Sequence, residues 1–143
     1  MQRSDVVQTG WPTEPFVLLG TVERGDQRGR LLGFATANLA VERGPETPAE
    51  GVYAGVAITA DGACHRAAVS LGRRPTFYAE GFELLEAHLI DFDEDIYGLP
   101  LEVRLYQRIR GQVRFDGVDA LVKQLRADVA ATRALIDAEL LVV

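Results

Sequence analysis

One asymmetry of hydrophobic rhythm constrains the fold more than any other feature of the 143-residue chain. From Phe16 to Arg110 the apolar residues come in short runs: FVLLGTVE, LLGFATANLAV, GVYAGVAIT, RAAVSLG, ELLEAHLIDF and LEVRLYQRIR. Turn-forming and charged residues break them, and no helix-length periodic segment lies between them. That pattern argues for an antiparallel barrel or sandwich over alternating strand and helix units. The tail then changes period. Val118, Leu121, Val122, Leu125, Val129, Thr132 and Ile136 recur at three- and four-residue spacing, so one long helix with a mostly apolar stripe should cover a face or opening of the sheet. Asp116 is placed to cap it, with Asp119 in the first turn.

A chain of this length, 48% apolar, closes one core. Residues 1–15, with two prolines and little periodicity, read as an extension, and 16–143 as the folded domain. The loop VERGPETPAEG over 41–51 should lie on the surface. The net charge of −6 argues against a protein that wraps nucleic acid. Cys64 is the only cysteine, so no intrachain disulfide forms. No apolar run approaches the ~18 residues of a membrane span and the N-terminus has no signal-peptide layout. A soluble, cytoplasmic protein is expected.

Fourteen of the fifteen basic side chains are arginine, Lys123 being the exception. No phosphate loop with its lysine, dinucleotide fingerprint, nucleophile elbow or zinc helix can be read. With two histidines and one cysteine, any metal should be a hard cation on oxygen ligands.

Thr36 and Asn38 offer such ligands. Alternate residues of an extended segment share a side, so the Thr36 hydroxyl and Asn38 amide oxygen can converge, although a Thr-x-Asn turn at a strand end has the same spacing. The preceding loop carries Gly25, Gly29 and Gly33 with Arg28 and Arg30, a composition that suits either an anion cradle or a flexible hairpin. In LLEAHLI, alternation sets Glu86 and His88 on one face with Leu84 and Ile90, and Leu85, Ala87 and Leu89 on the other. At a barrel mouth, Glu86 would be partly desolvated and could act as a general base; on a solvent face it would merely be wet. The loop Arg73-Arg74-Pro75-Thr76 reads as a turn. In the last run, Leu101, Val103, Leu105 and Ile109 should face inward, leaving Arg104, Tyr106, Arg108 and Arg110 on a solvated basic face.

Taken in order, GTV at 20–22, GDQRGRLLGF at 25–34, TANL at 36–39 and GVYAG at 51–55 resemble the riboflavin kinase family. The likeness continues through AVSLG at 68–72, PTF at 75–77, EAHL at 86–89, Asp91-Phe92, Tyr97-Gly98, Arg110 and Phe115-Asp116. It spans about 16–129. The resemblance implies a mainly β protein, a small Greek-key β-barrel with one long C-terminal α-helix. It implies transfer of the ATP γ-phosphoryl group to riboflavin, giving FMN and ADP. By the same likeness Thr36 and Asn38 bind the Mg²⁺ of ATP, Glu86 takes the proton of the 5′-hydroxyl, the loop from Gly25 to Gly33 closes over the phosphates, and Arg110 lies on the flavin side. Phosphoryl transfer asks mainly for alignment and charge neutralisation, which these groups could supply. The family usually has proline where Ala35 stands. A non-catalytic flavin- or nucleotide-binding barrel, or a kinase for a modified flavin, is the alternative. No adenylyltransferase motif is read in the chain, so FMN rather than FAD should be its product.

Overall fold

The computed structural model describes residues 14–24, 33–42, 44–72 and 82–142. The lead segment, apart from Glu14 and Pro15, lies outside them, as does Arg73-Arg74-Pro75-Thr76. Among the described residues there are six strands: β1 (Phe16–Thr21), β2 (Ala37–Glu42), β3 (Gly51–Ile58), β4 (Cys64–Gly72), β5 (Phe82–Leu89) and β6 (Pro100–Arg110). One helix, α1 (Val118–Leu135), and a 3-10 turn at Ala138–Leu140 follow. The strands form one antiparallel sheet in the order β1-β6-β3-β4-β5-β2. Within it β6-β3-β4-β5 is the Greek-key order, a three-strand meander whose fourth strand returns beside the first. Glu23 N–H donates to Asn38 O at 2.7 Å, a single bridge that brings the end of β1 onto β2 and nearly closes the barrel.

Strand alternation accounts for the core. Leu39 and Val41 of β2, Val69 and Leu71 of β4, Leu85 and Ala87 of β5, and Leu101, Val103 and Leu105 of β6 all point into the barrel. Full burial of each leucine contributes about 1.5–3 kcal/mol. The opposite face of β3, through Ala54, Val56 and Ile58, packs with Tyr106 and Ile136 in a second cluster beneath the C-terminal end of α1. The helix thus covers an outer face of the sheet, and Arg66 Nε ties it down with a 2.7 Å bond to Ile136 O.

Three local expectations change. Ile109 does not face inward with Leu105; two register shifts between β3 and β6 turn it onto the outer cluster beside Tyr106. The helix is capped by Gly117 in extended conformation, with no side-chain cap bond, so Asp116 does not cap it. Its stripe is also uneven. Thr132 and Ile136 are buried, Leu121, Leu125 and Val129 overhang a cleft, and Val118 is exposed.

Candidate active site

Because side chains alternate, the residues that do not enter the core share the outer face, and register decides which of them meet. Asn38 on β2 lies directly opposite Glu86 on β5, Glu86 opposite Ser70 on β4, Ser70 opposite Val52 on β3, and Val52 opposite Arg110 on β6. Five strands therefore present one transverse row, Asn38-Glu86-Ser70-Val52-Arg110. At ~4.8 Å between strands, its four steps span roughly 19 Å. Glu86 is half-buried in mid-strand on this face, not at a barrel mouth.

Two adjoining clefts flank the row. The first, of about 330 Å³, is lined by Gly33, Thr36, Asn38 and His88, with Arg24 and Tyr97 opposite. The Arg24 guanidinium lies over the Tyr97 ring at 4.1 Å from its centroid, a cation–π contact. The second, of about 260 Å³, is walled by the sheet residues Ser70, Glu86 and Arg110 and roofed by Leu121, Leu125 and Val129 of α1. Thr36 and His88 border both clefts, whereas Asn38 borders the first and Glu86 the second.

Thr36 is not inside a strand. β2 begins at Ala37, and Gly33 in the turn before it takes φ 87°, a left-handed conformation that glycine adopts without strain. His88 holds this turn from β5: its Nδ1 is 2.9 Å from the Ala35 carbonyl oxygen. A carbonyl only accepts, so Nδ1 carries the proton. The Phe34 ring meets the same imidazole edge-on at 5.5 Å. Of the loop glycines and arginines, Gly33 lines the first cleft, while Gly25, Arg28, Gly29 and Arg30 lie outside the described residues.

Arg110 is not solvated. Its Nε and Nη2 donate to the two oxygens of Asp128 on α1 at 2.9 and 2.8 Å, and Nη1 donates to Gly111 O at 3.0 Å. The Asp128 side chain is only 4% exposed, and Gln124 Nε2 also donates to its Oδ1 at 3.0 Å. At the same end of the cleft Gln112 donates to Ser70 Oγ and to Leu71 O. Sequence reasoning missed Ser70, Gln112, Gln124 and Asp128. Only Asp128 left a signal: an acid between Leu125 and Val129 interrupts a stripe that should bury, and a buried acid requires a partner.

The donor set fits a hard divalent cation bound together with phosphate. Thr36 and Asn38 supply neutral oxygens on one cleft, and the described residues hold no cluster of three or more His, Cys, Asp or Glu that would bind an ion unaided. Nor is any helix among them long and apolar enough to cross a membrane.

The model of the family described as flavokinase, riboflavin kinase, matches residues 12–136. A bifunctional riboflavin kinase/FMN adenylyltransferase of Listeria monocytogenes is 39% identical over 120 residues, 84% of this chain and 38% of its own length. The chain thus spans well under half of that curated relative. Among solved structures, a riboflavin kinase from Trypanosoma brucei superposes with TM-score 0.60 at 25% identity, over 89% of this chain and 83% of its own. A Streptococcus pneumoniae protein described as a macrolide-efflux protein superposes with TM-score 0.75 at 38% identity, over 85% of this chain and 40% of its own.

Proposed function

Because the chain belongs to the riboflavin kinase family, we infer that it transfers the γ-phosphoryl group of ATP to the 5′-hydroxyl of riboflavin, giving FMN and ADP. The observation that carries this reading is the direct pairing of Asn38 with Glu86 where the two clefts meet. One member borders the space for nucleotide phosphates and the other the space for the flavin.

Glu86 accepts the proton of the 5′-hydroxyl as that oxygen bonds to the γ-phosphorus and the bond to the β,γ-bridging oxygen breaks. A positioned base of this kind contributes typically about 10²–10⁴-fold. Thr36 and Asn38 would hold Mg²⁺ through their oxygens, and the ion supplies neutralisation of phosphate charge. Gly33, which lines the first cleft, would approach the phosphates. The roof of Leu121, Leu125 and Val129 gives the flavin ring an apolar surface, and Arg110 meets its polar edge.

The acidic balance and the lone Cys64 support a cytosolic setting with no nucleic-acid partner. The non-catalytic alternative draws on Ala35 alone, whereas Thr36, Asn38 and Glu86 remain together. Incubation with riboflavin, ATP and Mg²⁺ should yield FMN and ADP in equal amounts. Folded protein that binds both substrates and forms neither product would favour the binding-module reading.

A further inference from the structure

The Arg110–Asp128 pair does more than pin α1 to the sheet. The guanidinium has five N–H donors, and among the described residues three hydrogen bonds engage it, two to Asp128 and one to Gly111 O. Donor capacity therefore remains on Nη1 and Nη2 in a side chain that borders the second cleft and is 18% exposed. Asp128 accepts from Arg110 and Gln124 on Oδ1 and from Arg110 on Oδ2. Its carboxylate is thereby compensated although nearly all of it is buried.

Side-on pairing through Nε and Nη2 fixes both the plane and the rotation of the guanidinium, which an arginine held by a single bond would not have. It also offsets the positive charge. An arginine so paired suits the carbonyl and ring-nitrogen acceptors of a neutral planar ring, and the pair by itself gives no net attraction to a free anion.

We propose that Asp128, steadied by Gln124, is a positioning residue that presents Arg110 to the flavin ring and offsets the arginine's charge. The proposal rests on the flavin assignment of the second cleft. Asp128 acts through Arg110, so substitutions at the two positions must be coupled in their effect on flavin and silent toward ATP.

The test is equilibrium riboflavin binding to the full chain without ATP, read by flavin fluorescence, for wild type, Asp128→Asn, Arg110→Met and the double variant. KM values for riboflavin and ATP are measured alongside. Asp128→Asn should weaken riboflavin binding about 10-fold, the double variant should bind no worse than Arg110→Met, and the KM for ATP should stay within about twofold of wild type. A merely structural tie would lower thermal stability and change both KM values together. Unchanged riboflavin affinity in Asp128→Asn, or additive losses in the double variant, would overturn the proposal while leaving the kinase reading intact. Wild-type protein that binds no riboflavin overturns both. Should Asp128→Asn fail to fold, Gln124→Leu removes one of the three bonds to that carboxylate: about a threefold rise in riboflavin KM alone is expected, and wild-type values for both substrates would refute the role.

Discussion

Asn38 and Glu86 face one another across the antiparallel pair of β2 and β5, and each borders a different cleft. Direct cross-strand partners hold their Cβ atoms ~4.5–5.5 Å apart, so under the proposed function a phosphate held beside Asn38 would lie close to a hydroxyl held beside Glu86. The backbone of Asn38 is itself held by Glu23 N–H. Both ends of the arrangement are therefore built on strands rather than on a loop.

This division predicts a one-sided defect for Asn38→Leu. The substitution leaves the second cleft intact, so riboflavin affinity should stay within about twofold of wild type while the KM for Mg·ATP rises about 10-fold or more. Initial rates over a grid of Mg²⁺ and ATP concentrations check it, and a riboflavin defect of equal size would refute the division of the clefts.

His88 bonds the carbonyl of Ala35, the position where the family usually has proline. His88→Phe keeps an aromatic ring beside Phe34 but removes the donor, which should cost about 0.5–1.5 kcal/mol and raise the KM for Mg·ATP several-fold. Adding Ala35→Pro should recover about 0.4–1 kcal/mol of stability where the backbone accepts proline. Urea melts and ATP kinetics of the single and double variants read both effects.

Two glycines predict unequal costs of a methyl group. A Cβ on Gly55 would clash with Arg104 O, main chain that is bonded into β6; on Gly20 it would meet Leu39 Cδ2 at 2.8 Å, the end of a flexible side chain. Gly55→Ala should destabilise by roughly 3 kcal/mol or more and Gly20→Ala by about 1 kcal/mol. Chemical denaturation midpoints would show the order, and equal costs would contradict the packing at β3 and β6.

Asp91 follows β5 with φ 60° and takes both Nη groups of Arg133 on its two oxygens, at 3.0 and 2.9 Å. The hydrogen bonds from Arg133 hold its carboxyl below the ordinary value of 3.8. A depressed carboxylate contributes stability that is present above its unfolded pKa and lost as pH falls through the folded one. Both groups are exposed, so the contribution is small. Asp91→Asn, which tolerates the same left-handed backbone, should melt slightly below wild type at neutral pH. The two should melt together once pH falls below the depressed value, and a gap that persists there would exclude the linkage.

The barrel was legible because its strands alternate cleanly: Leu85, Ala87 and Leu89 turn inward while Glu86 and His88 turn out. Ile109 was not, because a bulge inverts facing without leaving a mark in local composition. The row joining Asn38 to Arg110 was equally hidden, since pairwise register across five strands is set by long-range packing and not by spacing within any one of them. Strand alternation alone leaves Arg110 on a solvated face, and only the resemblance puts it beside a flavin, because its partner lies on a helix eighteen residues further along. Thr36, Asn38 and Glu86 could be singled out by type and spacing, yet only the fold shows that Asn38 and Glu86 are cross-strand partners and that Thr36 borders both clefts.

The most direct test of the account is the single-turnover rate of Glu86→Gln with Mg·ATP and riboflavin, measured beside equilibrium riboflavin binding. The isosteric amide cannot take the hydroxyl proton, so the rate of phosphoryl transfer should fall about 10²–10⁴-fold with riboflavin affinity nearly unchanged. Transfer at the wild-type rate by Glu86→Gln would contradict the assignment of the base and, with it, the reading of the Asn38–Glu86 pair as the reacting centre.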